Sequence, residues 1–237
     1  MLIATNAEKL KAVEADIQSI RPDIHVLTLA LDISDKDAVD VAFEKIKGTF
    51  GHADILVNNA AVLLEGEGSP IGEADPEKWW RQCEINTKGT FLMSRAFLRQ
   101  LRSNTTDATI ITMLSRFAWQ GVPHLSGYSI AKSGAQQLSQ YIAAGYPQVT
   151  AVCVDPMLAD TDMLLDQFRR FTRSSPELVG GLGVWLSHPH AKFLSGRTIA
   201  SYGSVDDLIA RKDEIVGQGL LQTTLAGNFD GNQFHKA

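Results

Sequence analysis

Short, uninterrupted apolar runs alternate with helical patterns along most of this chain, and that alternation restricts its fold more than any other feature. The runs cover residues 26–31, 54–57, 109–114 and 149–154. They lack the every-second-residue polarity of a strand with one wet face, so each is predicted as a strand covered on both sides. Between them, apolar positions recur at helical spacing. Leu10, Val13, Ile17 and Ile20 follow a candidate cap at Asn6, and Pro22 stops that pattern. Val39, Phe43 and Ile46 follow a cap placed at Ser34, and Gly51 marks the end. Asp75-Pro76 reads as an N-cap with proline at the first helical position, opening a long helix towards Leu101. Further helices are predicted from Tyr128 to about Ala144 and from near Pro176, with an apolar piece at residues 1–4 and a last strand over residues 197–200. This alternation gives an α/β fold, a doubly wound, Rossmann-like parallel sheet. At 237 residues the chain is long enough for one such domain with a sizeable core, taken as residues 1–237.

Composition removes several function classes. The formal net charge of −5, with no Lys/Arg block, gives no footprint for nucleic acid. No run of 18 apolar residues is present, so no membrane span is expected. The opening MLIATNAEKL is too short and too soon charged for a signal peptide, which makes the cytoplasm the default location. Cys83 and Cys153 make no disulfide framework and read as reduced core thiols. Asn104-Thr105-Thr106 fits a glycosylation acceptor by chance. No metal site is expected.

The chemistry concentrates in SRFAWQGVPHLSGYSIAK, residues 115–132. Tyr128 and Lys132 are four apart, on one face of a helix. A phenol beside an ammonium is a proton-transfer pair, because a nearby cation favours the phenolate and lowers the ordinary pKa of about 10. Ser115 closes an apolar run, where a strand would deliver its hydroxyl to the sheet edge. By itself YxxxK is weak, and most such pairs are surface helix residues. The company it keeps is more specific: Asn58-Asn59-Ala60-Ala61 after one strand run, Asn86 in EINTKG, Asp155-Pro156 after another run, and Thr161 beyond it.

In this order and spacing the set resembles the short-chain dehydrogenase/reductase family, over residues 1 to about 220. The resemblance implies a nicotinamide cofactor and hydride transfer to or from a carbonyl or alcohol carbon of a small molecule. Asn86, Ser115, Tyr128 and Lys132 would be the catalytic residues. Tyr128 would exchange the proton, Ser115 would hydrogen-bond the substrate oxygen, and Lys132 would lower the tyrosine pKa and hold the nicotinamide ribose. Asn86 would support a water joining Lys132 to solvent. Asp32 would face the adenine, and Asn59, Ala60, Ala159 and Thr161, with Tyr128 and Lys132, would line the cofactor path. Each has a plainer reading: Asp32 and Asn59 as turn residues, Asn86 as a locally bonded helix asparagine, Thr161 as a helix cap.

Two departures stand against the family pattern. Its opening strand, Gly-rich turn (TGxxxGxG) and helix, on the order of 30 residues, are absent, and Met1 falls where the second strand is already under way. The expectation is either a fragment of a complete enzyme or a short form that rearranges, pairs with a partner, or does not bind cofactor well. Where the family has Pro-Gly, this chain has Pro156-Met157. At the end of the second family strand, Ala4-Thr5-Asn6 offers no acid for a ribose 2′-hydroxyl, while Lys9 is near, so NADP is expected over NAD. Phe117, Trp119, Pro123 and the residues from Met163 to Phe171 suggest an apolar substrate, with a lid over about 157–190, and the plainer reading makes them core. The resemblance also implies a homodimer or homotetramer built through the long helix and the helix after Tyr128. The tail around residues 206–221 resembles fungal-type members. Two other classes stay open: a non-catalytic relative acting as a scaffold or binding protein, and a cofactor-independent isomerase or cyclase using the Tyr/Lys pair.

Overall fold

A computed structural model describes residues 1–65, 70–101, 107–159, 161, 163–168, 170–171 and 174–224. Residues 66–69 of the Gly-rich loop over residues 65–72, and the acceptor at residues 104–106, lie outside the described residues.

The chain runs β1 (Leu2–Ala4), α1 (Ala7–Ile20), β2 (Thr28–Ala30), α2 (Lys36–Phe50), β3 (Ile55–Asn58), α3 (Pro76–Cys83), α4 (Thr90–Gln100), β4 (Ala108–Met113), α5 (Ser126–Gly145), β5 (Val149–Asp155), α6 (Pro176–Leu186), β6 (Thr198–Ala200), α7 (Val205–Ala210) and α8 (Lys212–Gly217). Caps fix the helix starts. Asn6 accepts a bond from Lys9 N–H, and Asp75 accepts from Glu77 and Lys78 N–H. Such caps are worth about 1 kcal/mol each. The cap of α2 is Asp35 rather than Ser34, one residue later than expected, because Ser34 is held by Asp32. Gly51 closes α2 at φ +81°, a left-handed angle that glycine takes without a Cβ clash.

All strand pairs are parallel. The order β3-β4-β5-β6 forms one sheet, and β1-β2 forms a separate pair. Among the described residues β1 has β2 as its only partner strand, and β3 has only β4. The gap falls where the doubly wound order 3-2-1-4-5-6 places its central strand. One face of β3 is correspondingly open, with Ile55 48% and Val57 51% exposed.

Helices cover both faces of the central strands β4 and β5, which are buried along their whole length. On one face Val39, Phe43 and Ile46 of α2 and Leu92, Met93 and Phe97 of α4 pack on Ile110, Val149 and Ala151. Ile3 of β1 and Leu31, just past β2, join the same core. On the other face Leu182 and Leu186 of α6 and Leu194 cover Ile111, Val152 and Val154. Each such buried side chain contributes about 1.5–3 kcal/mol. Among the described residues no helix is long and apolar enough to cross a membrane.

The helix expected from Pro76 to Leu101 is broken by a π turn at Glu84–Gly89. A wider turn of this kind inserts a residue and re-aims a side chain. Here the residue turned inward is Asn86, 1% exposed.

Candidate active site

Three elements meet at one place. β4 delivers Ser115 just past its C-terminal end, α5 carries Tyr128 and Lys132, and the chain leaving β5 returns through Pro156 and Met157. A cavity of about 610 Å³ opens there, lined by Ser115, Tyr128, Lys132, Asn59, Ala60, Ala159 and Thr161 together. Its remaining walls are apolar, with Leu63, Phe117, Leu125, Met163, Leu164 and Phe168 among them. Phe117 and Phe168 meet at a ring-centroid distance of 5.8 Å. A larger hollow of about 810 Å³ lies beyond Arg116 and Asp155, against Tyr202, Leu208 and Leu221. It is lined by none of Ser115, Tyr128 or Lys132, so the chemistry belongs to the smaller one.

Tyr128 is protonated at neutral pH. Burial, and then the charge of Asp155, push its phenol up to about 12, while a hydrogen bond from Ser115 pulls the other way. The expected lowering by Lys132 is not what the structure shows. The Lys132 ammonium donates to the Met113 carbonyl at 2.8 Å and stands 5.7 Å from the centre of the tyrosine ring. Burial brings Lys132 down to about 8, against a raising influence from Cys153. The Cys153 thiol is itself pushed up to about 11, by burial before all else.

Asn86 does not enter the cavity. Its amide accepts from Val62 N–H and donates to Val62 C=O, both at 2.8 Å, which fixes the loop carrying Asn59 and Ala60. Asp32 stands apart. Its carboxylate accepts from Ser34 N–H (2.8 Å) and Ser34 Oγ (2.7 Å) and is paired with Arg81. Burial opposes ionisation there, but those bonds together hold its pKa below the ordinary value.

Met157 takes φ +62°, the left-handed conformation that a glycine would adopt at no cost. Its N–H is held by Asp155 Oδ1 at 3.1 Å, and its sulfur lies against the Arg116 guanidinium, whose Nε is 3.6 Å from Asp155 Oδ2. The turn shape thus survives the loss of glycine, and the side chain becomes part of the cavity wall.

A sequence model described as short chain dehydrogenase matches residues 1–170. The chain is 33% identical over 225 residues to the short chain dehydrogenase citE of Monascus ruber, covering 93% of this chain and 76% of that protein. This chain is a member of the short-chain dehydrogenase/reductase family. Two solved structures share its fold: levodione reductase, with a TM-score of 0.78 at 22% identity and 84% of each chain covered, and a gluconate 5-dehydrogenase from Burkholderia cenocepacia in complex with NADP and tartrate, with a TM-score of 0.74 at 18% identity, 84% of this chain and 82% of that one covered. It is therefore an oxidoreductase of the class that works with NAD or NADP.

The residues present fit the nicotinamide end of such a cofactor. Lys132 has three N–H donors and, among the described residues, one acceptor, which leaves donors for ribose hydroxyls. Asn59, Ala60 and Thr161 border the same space. The adenosine end is less provided for: Asp32 is committed to Ser34 and Arg81, and the sequence has no TGxxxGxG run.

Sequence reasoning found Ser115, Tyr128, Lys132, Asn59, Ala60, Ala159 and Thr161, which the fold brings to one cavity. It passed over Leu63 and Pro176, which share that cavity, and Glu65, which binds the start of α5. Nothing in the local sequence marks Glu65, because its partners lie about 60 residues away.

Proposed function

We propose that this chain is an NADP-dependent carbonyl reductase acting on a small, largely apolar ketone. The observation that carries the reading is a protonated Tyr128, hydrogen-bonded by Ser115 and opening into an apolar cavity, with the Lys132 ammonium buried behind it. When bound, the nicotinamide supplies a hydride to the carbonyl carbon. Ser115 and Tyr128 hold the carbonyl oxygen by hydrogen bonds that strengthen as negative charge grows on it. Tyr128 then gives its phenolic proton to that oxygen, a positioned proton transfer worth about 10²–10⁴ in rate. Lys132 holds positive charge near the phenolate that remains. The walls of Phe117, Phe168, Met163 and Leu164 exclude water and suit an aromatic or terpenoid ketone, with residues 157–190 as the covering segment. Asn86 acts through the loop it fixes.

NADP is preferred because no carboxylate stands at the end of β1, where Asn6 is spent on capping α1. The related fold of the gluconate 5-dehydrogenase holds NADP, in keeping with that choice. The proposed assembly is a homodimer or homotetramer through α4 and α5, which leave Phe91, Ile130 and Tyr141 exposed, and the proposed location is the cytoplasm.

The test is loss of NADPH absorbance at 340 nm with a panel of aromatic and terpenoid ketones. Turnover with NADPH, at least tenfold above that with NADH, is expected. A folded chain that reduces no ketone with either cofactor would overturn the reading in favour of a non-hydride relative.

A further inference from the structure

Helix α5 lacks a cap of its own. Leu125 precedes it and supplies no side-chain acceptor, although the first N–H groups of a helix have no partner within it. A carboxylate from another part of the chain fills that role. Glu65 Oε1 accepts from Gly127 N–H at 2.9 Å, and Oε2 accepts from Tyr128 N–H at 3.1 Å. Ser126 Oγ donates to Oε1 at 3.4 Å and accepts from Trp79 Nε1 at 3.1 Å. The site is crowded as well: a Cβ on Gly127 would lie 2.9 Å from both the Gln82 amide nitrogen and the Trp79 ring.

The stretch from Asn59 to Glu65 is held at Val62 and at Leu64. Asn86 binds Val62 through both N–H and C=O, and Gln82 Oε1 accepts from Leu64 N–H at 2.9 Å. At its other end the same loop presents Asn59 and Ala60 to the cavity. One short segment thus touches the cavity wall and the backbone of the proton donor.

We propose that Glu65 is a positioning residue for Tyr128, its two carboxylate oxygens clamping the Gly127 and Tyr128 amides so that the phenol stays beside Ser115. This rests on the reductase reading for its effect on rate, and on the hydrogen bonds alone for its effect on structure. A displacement of about 1 Å in such a group can cost on the order of 10²-fold in rate.

The experiment uses the full 237-residue chain with Glu65→Ala and Glu65→Gln. Two readouts need neither cofactor nor substrate. Amide exchange at Gly127 and Tyr128 should quicken about tenfold in Glu65→Ala, as loss of a cap implies, while residues 131–142 keep their protection. The ¹³Cζ signal of Tyr128, assigned with Tyr128→Phe, should also shift. Glu65→Gln, which keeps one acceptor oxygen, should fall between the two. In turnover, Glu65→Ala should lower kcat on the order of 10–100-fold with KM little changed, and Glu65→Gln should restore part of it. A lower melting temperature with unchanged Tyr128 signal and unchanged kcat per folded molecule would reduce Glu65 to a stabilising cap and overturn the proposal. Unaltered exchange at Gly127 and Tyr128 would overturn it too. A wild-type chain that reduces no ketone, while both signals move in Glu65→Ala, defeats the reductase reading and leaves the clamp standing.

Discussion

Tyr128→Phe is expected to lower kcat for ketone reduction by about 10³-fold, within the range that a lost general acid costs, with the melting temperature little changed. The phenol oxygen is the group removed, and its partner is the Ser115 hydroxyl at the cavity surface, so the ring packing is kept. KM should change little, since the proton moves only as the hydride arrives. The variant should bind NADPH as the wild type does, which separates loss of chemistry from loss of the site. Full turnover by Tyr128→Phe would rule out the phenol as the acid.

Lys132→Met carries the second large effect. The ammonium is buried with a pKa of about 8, so reduction by the wild type should hold level up to that pH and decline above it. The variant should turn over on the order of 10²-fold more slowly, as loss of electrostatic stabilisation in a dry site implies, with no break near pH 8. Stability gives an independent readout. The folded value of Lys132 lies below its ordinary 10.5, so the unfolded chain binds more protons between pH 8 and 10.5, and stability rises with pH in that window. Cys153, raised from 9.0 to about 11, and Tyr128, raised from 10.0 to about 12, act oppositely over pH 9–11 and 10–12. The wild type should therefore gain stability from pH 8 to 9, by under about 1 kcal/mol, and lose it above about pH 10. Lys132→Met should lack the rise and melt no lower than the wild type at pH 7, because a desolvated charge has been replaced by an apolar side chain of similar length. A wild-type melting curve flat from pH 8 to 9 would contradict the account of Lys132.

Much of this site was legible in the sequence, for a physical reason. Ser115, Tyr128 and Lys132 depend on local order: a strand end, then a helix that repeats every four residues. The parallel sheet was legible because its central strands β4 and β5, covered on both faces by helices, are largely apolar and show no polar alternation. What was not legible depends on distant contacts. The break between β1-β2 and β3-β4-β5-β6 is a matter of pairing, although the absent Gly-rich unit pointed to it. The π turn at Glu84–Gly89 and the clamp by Glu65 arise from side chains meeting elements far away in the chain. The pKa of Tyr128 moved against expectation because burial, and then the charge of Asp155, raise it, and the four-residue spacing to Lys132 reveals neither. Asp32 likewise could be placed after a strand, but its pairing with Arg81 could not.

The most direct test of the central claim is a titration of the 237-residue chain with NADPH and with NADH, followed by nicotinamide fluorescence and thermal shift. The account predicts saturable binding with NADPH the tighter ligand, and a weaker complex in Lys132→Met. A chain that melts cooperatively yet shows no binding of either dinucleotide would contradict it.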